Sequence, residues 1–383
     1  MSRTIRLFYE DAYIKEFDAK VLSCEKDGDR YKAVLDKTAF FPEEGGQSPD
    51  KGTLSGVAVL DVQSKGEVIY HYLAAPIPEG DTVHGIIDWE RRFGFMQHHT
   101  GEHIFSGIVH DKYGYENVGF HLSDHIVTMD YSGSLSAEEV KEIEILANKA
   151  VFANLKVKAY FPPKEELAGL SYRSKKELTG DVRIVEVPGV DVCACCAPHV
   201  NYTGEIGQIK VMSRQSYKGG VRLSIACGLK ALVEMQKKQE MLETLSKEFS
   251  AGEDEIITLV QKDKEKIKKL NYKISCLGEE LLAIKAAMIS EDIEDVYLVV
   301  NAADDAAMRK TVNALTEKHT GICAVFSGND KDGFVFIAGS STGDCREFAK
   351  KMREECGAKG GGTERMVQGN TPGLPAAVIN NKI

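Results

Sequence analysis

His99 and His103, in Gln97-His98-His99-Thr100-Gly101-Glu102-His103, are spaced for chemistry. Four residues is slightly more than one helical turn, so in a helix both imidazoles leave one face and can offer two ligands to one metal ion. Cys195 and His199, in Cys195-Cys196-Ala197-Pro198-His199, repeat that spacing. Together the four residues make a tetrahedral donor set for one Zn²⁺ per chain. Whether Cys195 or Cys196 supplies the thiolate is open at this point. Two other chemistries share these residues. Cys193 and Cys196 form C-x-x-C, but no thioredoxin-like βαβ pattern surrounds them. His99-Thr100-Gly101-Glu102-His103 also satisfies H-x-x-E-H, in which the glutamate is the general base of a zinc protease. A protease site needs a distal carboxylate ligand, for which Glu177 and Glu186 are the candidates, and it leaves the Cys195/His199 pair unexplained. Zinc held by His99, His103, Cys195 and His199 is the preferred reading.

The elements that position these residues follow from the hydropathy pattern. Residues 1–87 carry short strands, such as Ala19–Ser23, Tyr31–Leu35 and Val57–Val62, between polar turns, which suits a small β-barrel. From Asp88, a plausible N-cap, Phe93, Met96, Ile104 and Ile108 recur at helical intervals until Gly114. Residues 88–228 then mix strands with a second helix from about Ser136 to Leu155, an α+β zinc-binding domain. Residues 229–290 are helical, with Ile256, Val260, Ile267, Leu270, Ile274, Leu277, Leu281, Ile284 and Met288 along a coiled-coil seam that two helices could fold back to share. Residues 291–383 alternate strand and helix as a C-terminal α/β domain and include a Gly-rich loop, Gly357–Gly362. The fold class expected is therefore α+β and multidomain.

Composition narrows the setting. At 383 residues the chain exceeds one ordinary core. Its apolar runs are too short to span a membrane, and Met1–Arg6 has no secretory pattern, so no membrane is expected. Nine scattered cysteines do not read as a disulfide framework and point to a reducing, cytoplasmic setting. The net charge of −10 argues against a polyanionic partner, but Lys210, Arg214, Lys218 and Arg222 cluster between Gly204 and Gly228 against Glu205. On an extended strand, residues at even spacing share a face, which predicts a basic row leading toward the metal, unless Gly219-Gly220 turns the chain and takes Arg222 out of it. Ordinary solvated cations are the plainer alternative.

Five blocks in order resemble long-form alanyl-tRNA editing proteins, relatives of the editing and C-terminal domains of alanyl-tRNA synthetase. Phe41-Pro42-Glu43-Glu44-Gly45-Gly46-Gln47 through Leu54 resembles the family's glycine-rich motif, and His99–His103 its H-x-x-x-H. Cys195–His199, followed by Val200 and Thr203–Gly207, resembles its C-x-x-x-H block, Gly220-Val221-Arg222 its Gly-Ile-Arg segment, and Gly360–Gly369 the Gly-rich end of its C-terminal domain. The Cys block departs from the synthetase pattern, with Cys-Cys-Ala-Pro-His where Cys-Gly-Gly-Thr-His is usual.

The resemblance implies hydrolysis of the ester joining serine or glycine to alanine tRNA. It also implies that residues 88–228 are the editing domain and that the C-terminal domain binds tRNA or forms a homodimer. With no aminoacylation domain, the chain is not expected to charge tRNA. Glu102 is the candidate proton acceptor, against a solvent-facing helix glutamate. His121 is expected on a strand lining the pocket, against a structural strand histidine. Gly45 and Gly46 are candidate tRNA contacts, against a bare tight turn, and Arg214 and Arg222 are candidate phosphate contacts. Two rival functions remain: the H-x-x-E-H protease, and a non-catalytic tRNA-binding dimer with structural zinc.

Overall fold

The computed structural model describes residues 3–124, 127–174 and 181–380. The chain is mixed α+β with several sheets, and it divides into two compact units, Met1–Met241 and Leu242–Ile383. Among the described residues no helix is long and apolar enough to cross a membrane.

The first unit begins with six strands: β1 (Glu16–Asp27), β2 (Arg30–Leu35), β3 (Gly52–Leu54), β4 (Val57–Lys65), β5 (Val68–Leu73) and β6 (Thr82–Ile87). Hydrogen bonds join them in the order β1-β2-β5-β4-β3-β6 and close the ring back on β1. Strict alternation sets the inward face: in β6, Val83, Gly85 and Ile87 are buried while Thr82, His84 and Ile86 are exposed. The inward residues join Phe40 and Phe41 in one core.

Helix α1 (Trp89–Tyr113) leaves this ring directly. Its ends are set as the sequence predicts, with the Asp88 side chain accepting from Arg91 N and Gly114 in the left-handed conformation. A buried ion pair between Arg92 and Asp50 ties its first turns to the ring. From His98 to Gly107 every residue is buried, so the helix has no solvent face where its histidines sit. Small residues permit this. A Cβ on Gly101 would stand 2.7 Å from Cys227 Sγ, so only glycine allows that approach. Around the helix lie β7 (Asn117–Leu122), β8 (Val127–Tyr131), α2 (Ala137–Phe152), β9 (Lys158–Tyr160), β10 (Ile184–Val187), β11 (Asp191–Ala194), β12 (Ile209–Tyr217) and β13 (Gly220–Cys227). They form one sheet in the order β12-β13-β8-β7 and another in the order β9-β10-β11. Helix α3 (Gly228–Phe249) follows.

The second unit holds α4 (Ile256–Ala287) and a five-stranded sheet of β14 (Val296–Val300), β15 (Cys323–Asn329), β16 (Gly333–Gly339), β17 (Lys359–Gly362) and β18 (Met366–Thr371). Its order is β14-β15-β16-β18-β17, with only β14 and β15 parallel. Where the sequence predicts a Gly-rich loop, Lys359–Gly362 is an edge strand. A Cβ on Gly360 would meet Gln368 O at 2.3 Å, so glycine lets the two backbones pair closely. On α4, Ile256, Gly278 and Leu282 are buried, whereas Ile267, Leu270, Ile274, Leu277, Leu281 and Ile284, and Met288 just after the helix, are exposed. From Ile267 onward the predicted seam is thus an apolar surface of the single chain.

Candidate metal centre

The fold brings His99, His103, Cys195 and His199 together, with their ligand atoms all within 4.8 Å of one another. α1 supplies the first two. The loop after β11 supplies the others, and Thr100 pins that loop to the helix by accepting from Val200 N. Each imidazole is anchored through Nδ1. His99 Nδ1 donates to Gln47 Oε1 at 2.8 Å, and His103 Nδ1 donates to Asp191 Oδ2 at 3.0 Å. His199 Nδ1 lies 3.0 Å from Thr100 Oγ1, whose own proton goes to Met96 O, so the imidazole is the donor there too. All three Nε2 atoms are therefore turned inward. Those of His99 and His199 lie 3.4 and 3.3 Å from Cys195 Sγ. Zinc bonds of about 2.0–2.1 Å to nitrogen and about 2.3 Å to sulfur, at tetrahedral angles, separate such donors by about 3.6 Å. The donor set fits zinc in type, number and spacing.

Electrostatics agree. Burial alone would raise the Cys195 thiol, but His99 and His199 outweigh it and hold the thiol well below its usual range. Burial likewise opposes charge on His103, yet its bonds to Asp191 and Cys195 lift it to about 9. His199 is pushed down to about 3, chiefly by burial. Protons thus hold the cluster together, and a metal ion would displace them. Cys196 is the opposite case: burial and the neighbouring Cys195 push its thiol up, and it belongs to no metal-ligating group among the described residues. Cys193 groups with His103 and Asp191, but its thiol is also raised by burial, and Asp191 is engaged by Arg173 at 2.7 and 3.0 Å.

Glu102 is fully buried, so the solvent-facing alternative fails. Its Oε1 accepts from Ser106 Oγ at 2.7 Å and Asn117 Nδ2 at 2.6 Å, while Oε2 lies 4.0 Å from His103 Nε2. Of the carboxylates a protease would need, Glu186 faces away and binds Lys158 at 2.9 Å. Glu177 and His125 lie outside the described residues.

A cleft of about 590 Å³ opens onto this cluster, and its walls include Gly45, Gly46, His99, His103, Phe120 and Cys195. The paired glycines are both in the left-handed region, and a Cβ on Gly46 would stand 2.4 Å from Phe120 O. That contact, with Leu122 N donating to Gly46 O, stitches the loop to β7 and sets Gln47 beneath His99. The Phe120 ring lies 4.8 Å from that of His99.

Three expectations are corrected. His121 is on β7 as predicted, but its side chain is exposed and does not line the cleft, where Phe120 stands instead. Arg214 and Arg222 do not line the cleft either, and the basic row does not form. A register shift between Val211 and Ser213 breaks strand alternation, and the turn before Gly220 carries Arg222 onto the neighbouring strand. Lys210 binds Glu144 at 2.5 Å, Arg214 donates to Leu135 O at 2.6 Å, and Arg222 grips Asp130 at 2.6 and 2.7 Å. The residues missed were the anchors Gln47, Thr100 and Asp191. Gln47 directly follows the paired glycines and Thr100 sits between His99 and His103, so both carried a signal; Asp191 carried none.

Comparison with known proteins bears on this centre. A family model described as the threonyl and alanyl tRNA synthetase second additional domain matches residues 182–223, and one for class II (A) tRNA synthetases matches residues 7–91. The chain is 29% identical to an alanyl-tRNA editing protein, AlaX-L, of Pyrococcus horikoshii, over 98% of this chain and 96% of that protein. It is 32% identical to the alanine–tRNA ligase of Ignicoccus hospitalis, over 94% of this chain and 40% of the ligase. For the Pyrococcus furiosus ligase the identity is 33%, over 96% of this chain and 42% of the ligase. The chain thus spans about two fifths of the length of these ligases.

Proposed function

We propose, for a chain related along its length to the alanyl-tRNA editing proteins and to the alanine–tRNA ligases, that it hydrolyses the ester of alanine tRNA mischarged with serine or glycine. The observation that carries this reading is the set of three inward-turned Nε2 atoms and the Cys195 thiolate at the floor of an open cleft. His99, His103, Cys195 and His199 would hold one Zn²⁺. When bound, zinc supplies Lewis-acid polarisation of an ester carbonyl or of a water.

The chain's own residues do the rest. Gln47, Asp191 and Thr100 fix the orientation and tautomer of the imidazoles, which keeps their Nε2 atoms available. Gly45 and Gly46 present bare backbone to the cleft, where an incoming nucleotide can approach it. Glu102 takes the proton, with Oε1 held by two donors and Oε2 on the side of His103 Nε2. Glu102→Gln should then lower kcat by about 10²- to 10⁴-fold at unchanged zinc content. A loss of zinc instead would make Glu102 a support of His103. The apolar face of α4 would form the homodimer contact, and the cytoplasm, where charged tRNA is used, is the expected compartment.

Incubating the full chain with Ser-, Gly- and Ala-charged alanine tRNA, and following release of each amino acid, tests the reading. Release of serine or glycine in preference to alanine is the expected result. One observation favours a second reading: a site closed by four protein ligands is the usual form of a structural zinc. Binding of tRNA with no release would select that non-catalytic role, and cleavage of a peptide would select the protease.

A further inference from the structure

One wall of the cleft has features that the metal cluster does not need. Phe161 lines it and is nearly half exposed as a residue, at 48%. The chain holds this ring stiffly, because Phe161 follows β9 and precedes Pro162 and Pro163, which fix the backbone around it. Tyr9 backs it edge-on at 5.4 Å. Tyr9 is itself fixed: its hydroxyl accepts from Arg6 Nη1 at 3.3 Å, and the Arg183 guanidinium lies 5.3 Å from its ring. Arg183 in turn donates to the carbonyls of Cys195 and Ala197 at 3.0 and 2.8 Å, so the aromatic wall is tied to the loop that carries two of the cluster residues. Arg6 also lines the cleft; its Nη2 donates to the Gly66 carbonyl at 3.2 Å, which leaves its charge uncancelled, and the Glu44 carboxylate stands 4.0 Å away.

A rigid exposed aromatic face beside a weakly compensated guanidinium is how proteins hold single-stranded nucleic acid: the base stacks and the cation takes the phosphate. We propose that Phe161 is the stacking surface for the terminal base of a single-stranded 3′ end, that Arg6 meets the phosphate before it, and that Tyr9 is a positioning residue behind Phe161. This rests on the function proposed above. It adds that the substrate is gripped by its last nucleotide, whatever amino acid the nucleotide carries. A cleft of about 590 Å³ falls within the range usual for ligand clefts.

The test uses the full chain and two uncharged RNA hairpins with a single-stranded A-C-C-A end, one of them abasic at the last position. Wild type should prefer the intact probe. Phe161→Ala should weaken the intact probe by about 5- to 150-fold, the range for one stacked base, and leave the abasic probe unchanged. Phe161→Trp should restore binding, whereas Phe161→Leu, apolar but without a π-face, should not. Arg6→Gln should lower the salt slope by about 0.7, as expected for one single-strand phosphate. Unchanged binding in Phe161→Ala, equal loss on both probes, or full rescue by leucine would each overturn the proposal. Amino-acid release by wild type is read separately. Phe161-dependent binding without release would retain the platform and sink the hydrolase reading; release with probe binding indifferent to Phe161 would do the reverse.

Discussion

Replacing Asp191 by asparagine separates the effect of its charge from that of its shape. The carboxylate accepts from His103 Nδ1 at 3.0 Å and from Arg173 at 2.7 and 3.0 Å, and both partners of the ion pair are almost wholly buried. Asparagine keeps an oxygen for the His103 proton but leaves the Arg173 guanidinium buried without its counter-charge. Breaking a buried pair from one side costs about 3–5 kcal/mol, because the remaining charge stays desolvated. Loss of an outer carboxylate behind a ligand histidine should also weaken zinc binding by about 10- to 100-fold. Adding Arg173→Leu removes the stranded cation, so stability should recover by about 2 kcal/mol or more while zinc affinity stays low. Urea unfolding of the metal-free protein reads the first quantity, and competition with a chromogenic chelator reads the second. Recovery of both in the double variant would refute the argument, since Asp191 would then act on the metal only through stability. An unchanged urea midpoint in Asp191→Asn would refute the role of the ion pair.

Metal analysis of Cys195→Ala should show loss of zinc, while Cys196→Ala keeps one equivalent; the reverse pattern would transfer the ligand role to Cys196. Gly46→Ala should destabilise the protein by at least about 1–2 kcal/mol in urea melts, from left-handed strain before any clash with Phe120 O is counted. Burial pushes His71 down to about 4, against a weaker opposing bond to Ala33, so the folded chain refuses a proton that the unfolded chain takes up near 6.5. Stability present above that pH should be lost as pH falls from about 6.5 to about 4, by roughly 3 kcal/mol at most. His71→Gln should flatten this part of the profile, and parallel urea profiles for the two proteins would exclude His71 as its source.

That His99 and His103 would come together was legible because their spacing is local. A pair at i, i+4 on a helix states its geometry before any tertiary structure is known, whereas the same spacing between Cys195 and His199 lies on a loop and fixes nothing; Asp88 and Gly114 mark the ends of α1 by their own backbone preferences. Burial around that helix was not legible. The sequence shows polar residues at Thr100, Glu102 and Ser106, and a solvent-facing glutamate was one reading of Glu102. The structure covers them, since Gly101 and Gly107 let neighbouring elements approach within contact and each polar group finds a partner there. Strands β14 to β16 were likewise visible as apolar runs, whereas Lys359–Gly362 reads as a loop because glycine signals freedom locally and close pairing only in context.

Charge was the least legible property, and the reason bears on how an acidic chain could hold tRNA. The run from Lys210 to Arg222 looks basic because sequence shows only neighbours along the chain. Acids for two of its four cations arrive from elsewhere, Glu144 from α2 for Lys210 and Asp130 from β8 for Arg222, while Arg214 donates to the Leu135 carbonyl. Among the described residues, the cations that line the cleft, Arg6 and Arg183, lie far apart in sequence, so no local cluster announces them. Their partners also differ in kind. Arg183 Nη1 donates to two backbone carbonyls, which orient a guanidinium without cancelling its charge, and burial disfavours that charge, against the opposing pull of Cys195. A cation not already paired with a carboxylate attracts an incoming phosphate more strongly than one that is. A net charge of −10 does not by itself exclude a local anion site, because attraction is decided by how each nearby cation is paired rather than by the sum over the chain.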